Sequence, residues 1–343
     1  MVIYINNVDN FYINGNQGEK VYFKYNQIWP PVDYSQEYLT LQALESGTFT
    51  WTDLKNNRSI SYSTNNGSTW TTLTSGSSTP TIAANSKVLL KGNIGSGVYY
   101  DGTSQSGNGT ISSSGRFNAM GNVMSLVGGD NFNNLTTISN IFQFCALFKD
   151  CTKLVDITNL CLPATTLADG CYDIMFEGCT SLVNIPSNFL PATNAPYLCY
   201  HRMFYGCTSL VNGPSILPAT TLSGYYCYGG MFQECTSLTS APELPATTLI
   251  ECCYEYMFQG CTSLTSAPEL PAAELKAGCY RYMLSNCPSL NYIKCLATDI
   301  SAGYCTGNWT DNVAQTGTFI KKSNTTWTTG VDGIPSGWTV QNV

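Results

Sequence analysis

Charge is scarce in this sequence. Only 11% of its 343 residues are Asp, Glu, Lys or Arg, histidine occurs once, and acidic residues outnumber basic ones 22 to 15. A net charge of −7 argues against a nucleic-acid partner, because release of counterions from a phosphate backbone needs a basic face. No stretch reaches the roughly 18 apolar residues that a membrane helix requires. The N-terminus lacks a basic start followed by an apolar core, and neither end carries a lipidation motif. These absences lead to the expectation that the chain is used where it is made, as in a particle assembled inside a cell and released by lysis. No heptad stretch supports a coiled coil. Cysteine is missing from residues 1–144 and 306–343, and no Cys-x2-Cys pair of the kind that opens a structural zinc site occurs anywhere. Neither a metal nor a cofactor is expected.

What is present is a repeat. The phrase Cys-Tyr-x-x-Met-Phe-x-x-Cys, followed by Thr-Ser-Leu and Leu-Pro-Ala, recurs with its second cysteine at Cys151, Cys179, Cys207, Cys235, Cys261 and Cys287. Periods of 28 and 26 residues with regularly placed leucines predict a leucine-rich α/β solenoid of about six coils, each burying its apolar side on its neighbours. Within a unit such as Cys171, Met175 and Cys179, the i, i+4, i+8 spacing predicts a short helix with one soft apolar face. Cys227–Cys235 reads as such a helix and Leu238–Leu244 as the extended segment opposite. Two cysteines eight apart on a helix stand about 12 Å apart, beyond disulfide reach. The sixteen cysteines are therefore expected to be buried thiols acting as small hydrophobes, with bridges between coils and zinc as the alternatives. His201 shares its repeat slot with Gly229, Glu255 and Arg281, a variability that predicts a solvated position.

The chain divides into four parts. Residues 1–32 alternate apolar and polar groups and read as a small β module, an anchor that docks on something larger or trimerises. Residues 33–117 continue as strands separated by turn clusters, which predicts a β-sandwich-like domain. Inside it, Ser63 to Trp70 resembles an Asp-box hairpin with Asn65 in place of Asp, and Asn66-Gly67 sets its turn. Gly92 to Gly115 reads as a surface loop. Residues 118–315 form the repeat region, with Asn118–Leu126 as a helical N-terminal cap, and residues 316–343 form a β-like C-terminal cap.

The segment Met257-Phe-Gln-Gly-Cys-Thr-Ser-Leu-Thr-Ser-Ala-Pro-Glu-Leu-Pro-Ala and the ending Gly333-Ile-Pro-Ser-Gly-Trp-Thr-Val resemble leucine-rich repeat proteins of the Bacteroides surface protein A type. These occur in gut Bacteroidetes and in the phages that infect them. The resemblance covers roughly residues 120–343, and the first 32 residues are similar to short modules of phage tail and head fibres. It implies a virion structural protein, a fibre or receptor-binding adhesin. Its partners would be other virion proteins, through the N-terminal module, and a glycan or protein receptor on the host surface, with a homotrimer as the assembly that such fibres often adopt. A bacterial cell-surface or secreted adhesin is the alternative, and a capsule-degrading enzyme a third reading, which would need paired carboxylates in a cleft. The expected ligand contacts are Thr239, Glu243, Thr265 and Glu269 on the extended segments. The recurrent tyrosines, among them Tyr228, Tyr254 and Tyr280, serve either as a sugar-stacking ladder or as rings packed between coils.

Overall fold

The computed structural model describes residues 33–53, 56–95 and 109–343, together with the strand pairs Tyr4–Ile5, Phe11–Tyr12, Tyr22–Phe23 and Asn26–Gln27. Most of the expected loop from Gly92 to Gly115, and the Trp29-Pro30-Pro31 segment, lie outside the described residues. The chain forms two units, 1–33 and 34–343. In the first, Tyr4–Ile5 pairs antiparallel with Phe11–Tyr12, and Tyr22–Phe23 with Asn26–Gln27.

The second unit is rich in β-structure, and its one α-helix among the described residues is Ser125–Gly128. It opens with a sheet in which Leu39–Ala43 lies between Lys87–Lys91 and Phe117–Asn122, both antiparallel to it; Ile60–Ser63 and Thr71–Leu73 extend the sheet beyond Lys87–Lys91. A smaller sheet joins Thr110–Ser113, Phe49–Thr52 and Ser77–Ser78. The alternating pattern of Phe49–Thr52 puts Phe49 and Trp51 inward, and Phe49 meets Phe117 of the larger sheet edge to face at 5.2 Å.

Phe117–Asn122 joins the β-sheets to the repeats. One side pairs antiparallel with Leu39–Ala43, and the other pairs parallel with Leu154–Asp156 and Leu160–Cys161. The boundary expected between residues 117 and 118 therefore falls inside a strand. The helix expected over Asn118–Leu126 is likewise a strand up to Asn122, with helix only from Ser125. Gly121 explains part of this: its φ is +81°, and a Cβ there would stand 2.1 Å from the Tyr38 carbonyl oxygen. Only glycine allows that approach.

In the repeats, the segments expected to be short helices are not helical. Over 170–179, the N–H groups of Gly170, Tyr172, Ile174, Phe176 and Gly178 donate to carbonyls of the next coil, at Tyr197, Cys199, His201, Met203 and Tyr205. The intervening N–H groups of Cys171, Asp173, Met175, Glu177 and Cys179 donate to carbonyls three residues back. Every fourth residue is left-handed: Tyr226, Gly230 and Glu234 have φ of 55°, 60° and 60°, and Cys252, Tyr256 and Gly260 repeat the pattern. An α-helix contains no such residue and bonds i to i−4. Here the chain alternates a local turn with a bond to the neighbouring coil, so each backbone donor of this segment is used.

On the opposite side, short parallel ladders link the coils, from Asn194–Ala195 with Thr221–Leu222 to the run Ser266–Leu270, Tyr292–Cys295, Thr318–Lys321 and Thr339–Asn342. The C-terminal segment thus adds two more strands to the same ladder. Between the two sides run columns of stacked rings. Phe144, Tyr172, Tyr200, Tyr228, Tyr254, Tyr280, Trp309 and Trp327 follow one another at centroid separations between 5.2 and 6.2 Å. Phe148, Phe176, Phe204, Phe232 and Phe258 form a second column at 5.3 to 5.8 Å. Nearly all the buried apolar side chains belong to one continuous core. Among the described residues, no helix is long and apolar enough to cross a membrane.

Candidate functional site

The repeat cysteines serve the core. All sixteen are free, and all but Cys161 and Cys252 are buried. The thiols of Cys179, Cys207, Cys235, Cys261 and Cys287 donate to the carbonyls of Phe148, Phe176, Phe204, Phe232 and Phe258 in the preceding coil, at 3.0 to 3.2 Å. Burial pushes the thiols of Cys151, Cys227, Cys279, Cys287 and Cys295 up to about 12, so they stay protonated and unreactive at neutral pH. Among the described residues no group of three or more His, Cys, Asp or Glu could hold a metal ion.

Of the expected contact residues, the rings fail and the others stand at the surface. Tyr228, Tyr254 and Tyr280 are 0%, 2% and 1% exposed, and each has a ring stacked on both faces. No sugar can reach them, which corrects the stacking-ladder reading; they pack between coils. Thr239, Glu243, Thr265 and Glu269 are all exposed. The Thr239 hydroxyl donates to the Val211 carbonyl at 3.2 Å, and Glu269 pairs with Lys294 at 2.8 Å. Glu243 and Glu269 line one open groove of about 380 Å³ with Ala241, Pro242, Leu244, Pro245, Pro268 and Pro271. The repeated Ala-Pro-Glu-Leu-Pro phrase builds it, because the prolines supply two apolar walls one coil apart while the glutamates stay in solvent.

The turn side holds the chemistry that the repeat pattern did not reveal. The slot shared by Asp173, His201, Gly229, Glu255 and Arg281 is solvated only in part: Asp173 and Glu255 are 3% and 1% exposed, whereas the side chains of His201 and Arg281 keep 24% and 36%. His201 Nδ1 lies 2.9 Å from Asp173 Oδ1, and Arg281 reaches Glu255 through Nε at 2.7 Å and through Nη2. Polar side chains one coil apart pair with each other, although Glu255 Oε2 stays without a partner, so the variability of the slot reflects pairing between coils as well as solvent contact. The left-handed positions beside it carry large side chains. Tyr256 and Tyr282 stack in parallel at 5.0 Å, Arg202 is exposed with its guanidinium 5.3 Å from the Tyr205 ring, and Tyr304 is 79% exposed. A left-handed conformation costs a non-glycine residue about 1–2 kcal/mol, so tyrosine and arginine there mark a surface that local backbone preference does not explain.

The structure therefore offers two exposed surfaces built from repeated elements: the proline-walled groove with its two carboxylates, and the tyrosine and arginine rows of the turn side. No protein-family model matches the chain, and neither a curated protein nor a solved structure does.

Proposed function

We propose that this chain is an attachment protein: a phage fibre or receptor-binding adhesin in which residues 118–315 form a leucine-rich-repeat solenoid that meets the host surface. In this reading residues 1–32 hold other virion proteins, the assembly is a homotrimer, and the receptor is a surface glycan. The observation that carries it is the scaffold itself. Rings stacked through successive coils and backbone bonds between coils make a stiff body that repeats its outward side chains at a fixed spacing. Repeat scaffolds of this kind recognise extended ligands along a face, each coil adding one contact. The sequence resemblance to Bacteroides surface protein A repeats points the same way, although the turn segments, with a left-handed residue at every fourth position, are not helices.

Mass spectrometry of purified phage particles, run beside outer-membrane fractions of an uninfected Bacteroides host, tests the reading. Peptides of this chain are expected in the particles. Their presence in the membrane fraction alone would replace the virion reading with a bacterial surface adhesin.

A further inference from the structure

The column of left-handed residues through Ala146, Ile174, Arg202, Gly230, Tyr256, Tyr282 and Asn308 carries a side chain in every coil except one. At Gly230 the row has no side chain of its own; the slot so left is closed by the side chain of the exposed Arg202, and the next residue of the column is Tyr256, which stacks on Tyr282. A Cβ at Gly230 would stand 3.0 Å from Arg202 Cγ and 3.1 Å from Gln233 Oε1. That Gln233 oxygen is buried and has no hydrogen-bond partner. Arg58 and Arg281 sit in ion pairs, whereas among the described residues no carboxylate pairs with Arg202.

We propose that this slot binds an acidic sugar unit, a uronate of a surface polysaccharide, with its ring on Tyr256, its carboxylate on Arg202 and a hydroxyl donated to Gln233 Oε1. The site rests on the attachment reading and adds to it the place and class of ligand. Each part of the ligand answers one feature. The apolar face of a pyranose packs on a rigid aromatic ring, and a ring backed by a second loses little freedom on binding. A guanidinium presents two parallel donors to a carboxylate. An unpaired buried carbonyl gains a hydrogen bond from a ligand hydroxyl and otherwise carries a desolvation cost. Arg202 lies against Gly230 and is held by no ion pair, so it forms the movable wall and swings outward to admit the sugar. A chain of net charge −7 does not attract polyanions at large, so binding depends on this one cation rather than on a general basic field.

Isothermal titration of the full chain with oligogalacturonate and hyaluronan fragments, and with a neutral xylan oligosaccharide as control, tests the proposal. Arg202→Gln is expected to weaken acidic-sugar binding by about 10-fold or more, the loss of one charge-assisted pair. Gly230→Asn, which tolerates the left-handed backbone but fills the slot, should abolish binding. Tyr256→Phe should retain it. Melting curves confirm that each variant is folded. Equal affinity for the neutral sugar, no binding of any acidic probe, or parent-like binding by a folded Arg202→Gln would overturn the site. None of those results touches the particle measurement, which decides the attachment reading by itself.

Discussion

At the scale of the residue, the inner rows show why Cys recurs where Ala would fill similar space. The carbonyl of Phe176 accepts the N–H of Cys179 in its own coil and the thiol of Cys207 in the next, so the small cysteine both fills the core and ties two coils together. The tyrosines differ. The hydroxyls of Tyr172, Tyr200 and Tyr228 are buried with no hydrogen-bond partner on the protein, and burial holds them well above the usual tyrosine range. Their rings, not their hydroxyls, account for the packing. Tyr200→Phe keeps the ring between Tyr172 and Tyr228 and removes an unpaired polar group, a change worth about 1 kcal/mol or more in favour of the folded state. Its melting temperature is expected to equal or exceed that of the parent in a calorimetric scan. A clear fall would show that the hydroxyl makes a bond that stabilises the fold.

At the scale of the element, the repeat was legible and its backbone was not. The recurrence of Cys, Met, Phe and Leu identified which residues face inward, and Cys179, Met203 and Leu238 are indeed fully buried. The i, i+4, i+8 spacing was read as helical, yet a helix of 3.6 residues per turn drifts off a strict spacing of four, whereas a chain that turns left-handed every fourth residue keeps it. The signal lay in the residues between. Gly170, Gly178, Gly206, Gly230, Gly260 and Gly278 all fall in left-handed positions, and Asn286, Asn308 and Asn312 share them. Glycine and asparagine are the residues that enter this conformation most easily. The candidate site was hidden for the same reason: Arg202 and Tyr256 belong to one column only once these positions are known to share a face. Tyr304 offers a direct test, being left-handed at φ 54° and 79% exposed, so it bears the conformational cost with little packing in return. Tyr304→Gly should raise stability by about 0.5–1 kcal/mol, read as a higher midpoint in urea with an unchanged slope; a lower midpoint would mean that the ring contributes packing despite its exposure.

At the scale of the whole molecule, stability rests on a core of thiols and aromatic rings rather than on ionic groups, and this sets how the fold responds to pH. Among the described residues few ion pairs exist to be broken by acid, and several of them, such as Lys91 with Asp130 and Lys294 with Glu269, involve an exposed carboxylate and are worth little. Alkali acts differently. The buried thiols have a folded-state value raised above that of the unfolded chain: Cys151, Cys227, Cys279, Cys287 and Cys295 titrate at about 12 against an ordinary value of 9.0. Below pH 9 both states hold these protons and stability is constant. Above it, the unfolded chain releases protons that the folded core retains, so stability falls as pH rises from about 9 towards 12. The slope is about 1.4 kcal/mol per pH unit for each such thiol. Five of them together approach, within about one to two pH units, the 5–15 kcal/mol that holds a typical domain. Melting followed by circular dichroism in the presence of a reductant is therefore expected to show a level transition temperature from pH 7 to 9, a steep fall beyond it, and recovery when the pH is returned to neutral. A transition that stays level to pH 11 would mean that the thiols are bridged or open to solvent, and the column of thiols bonded to phenylalanine carbonyls would have to be abandoned.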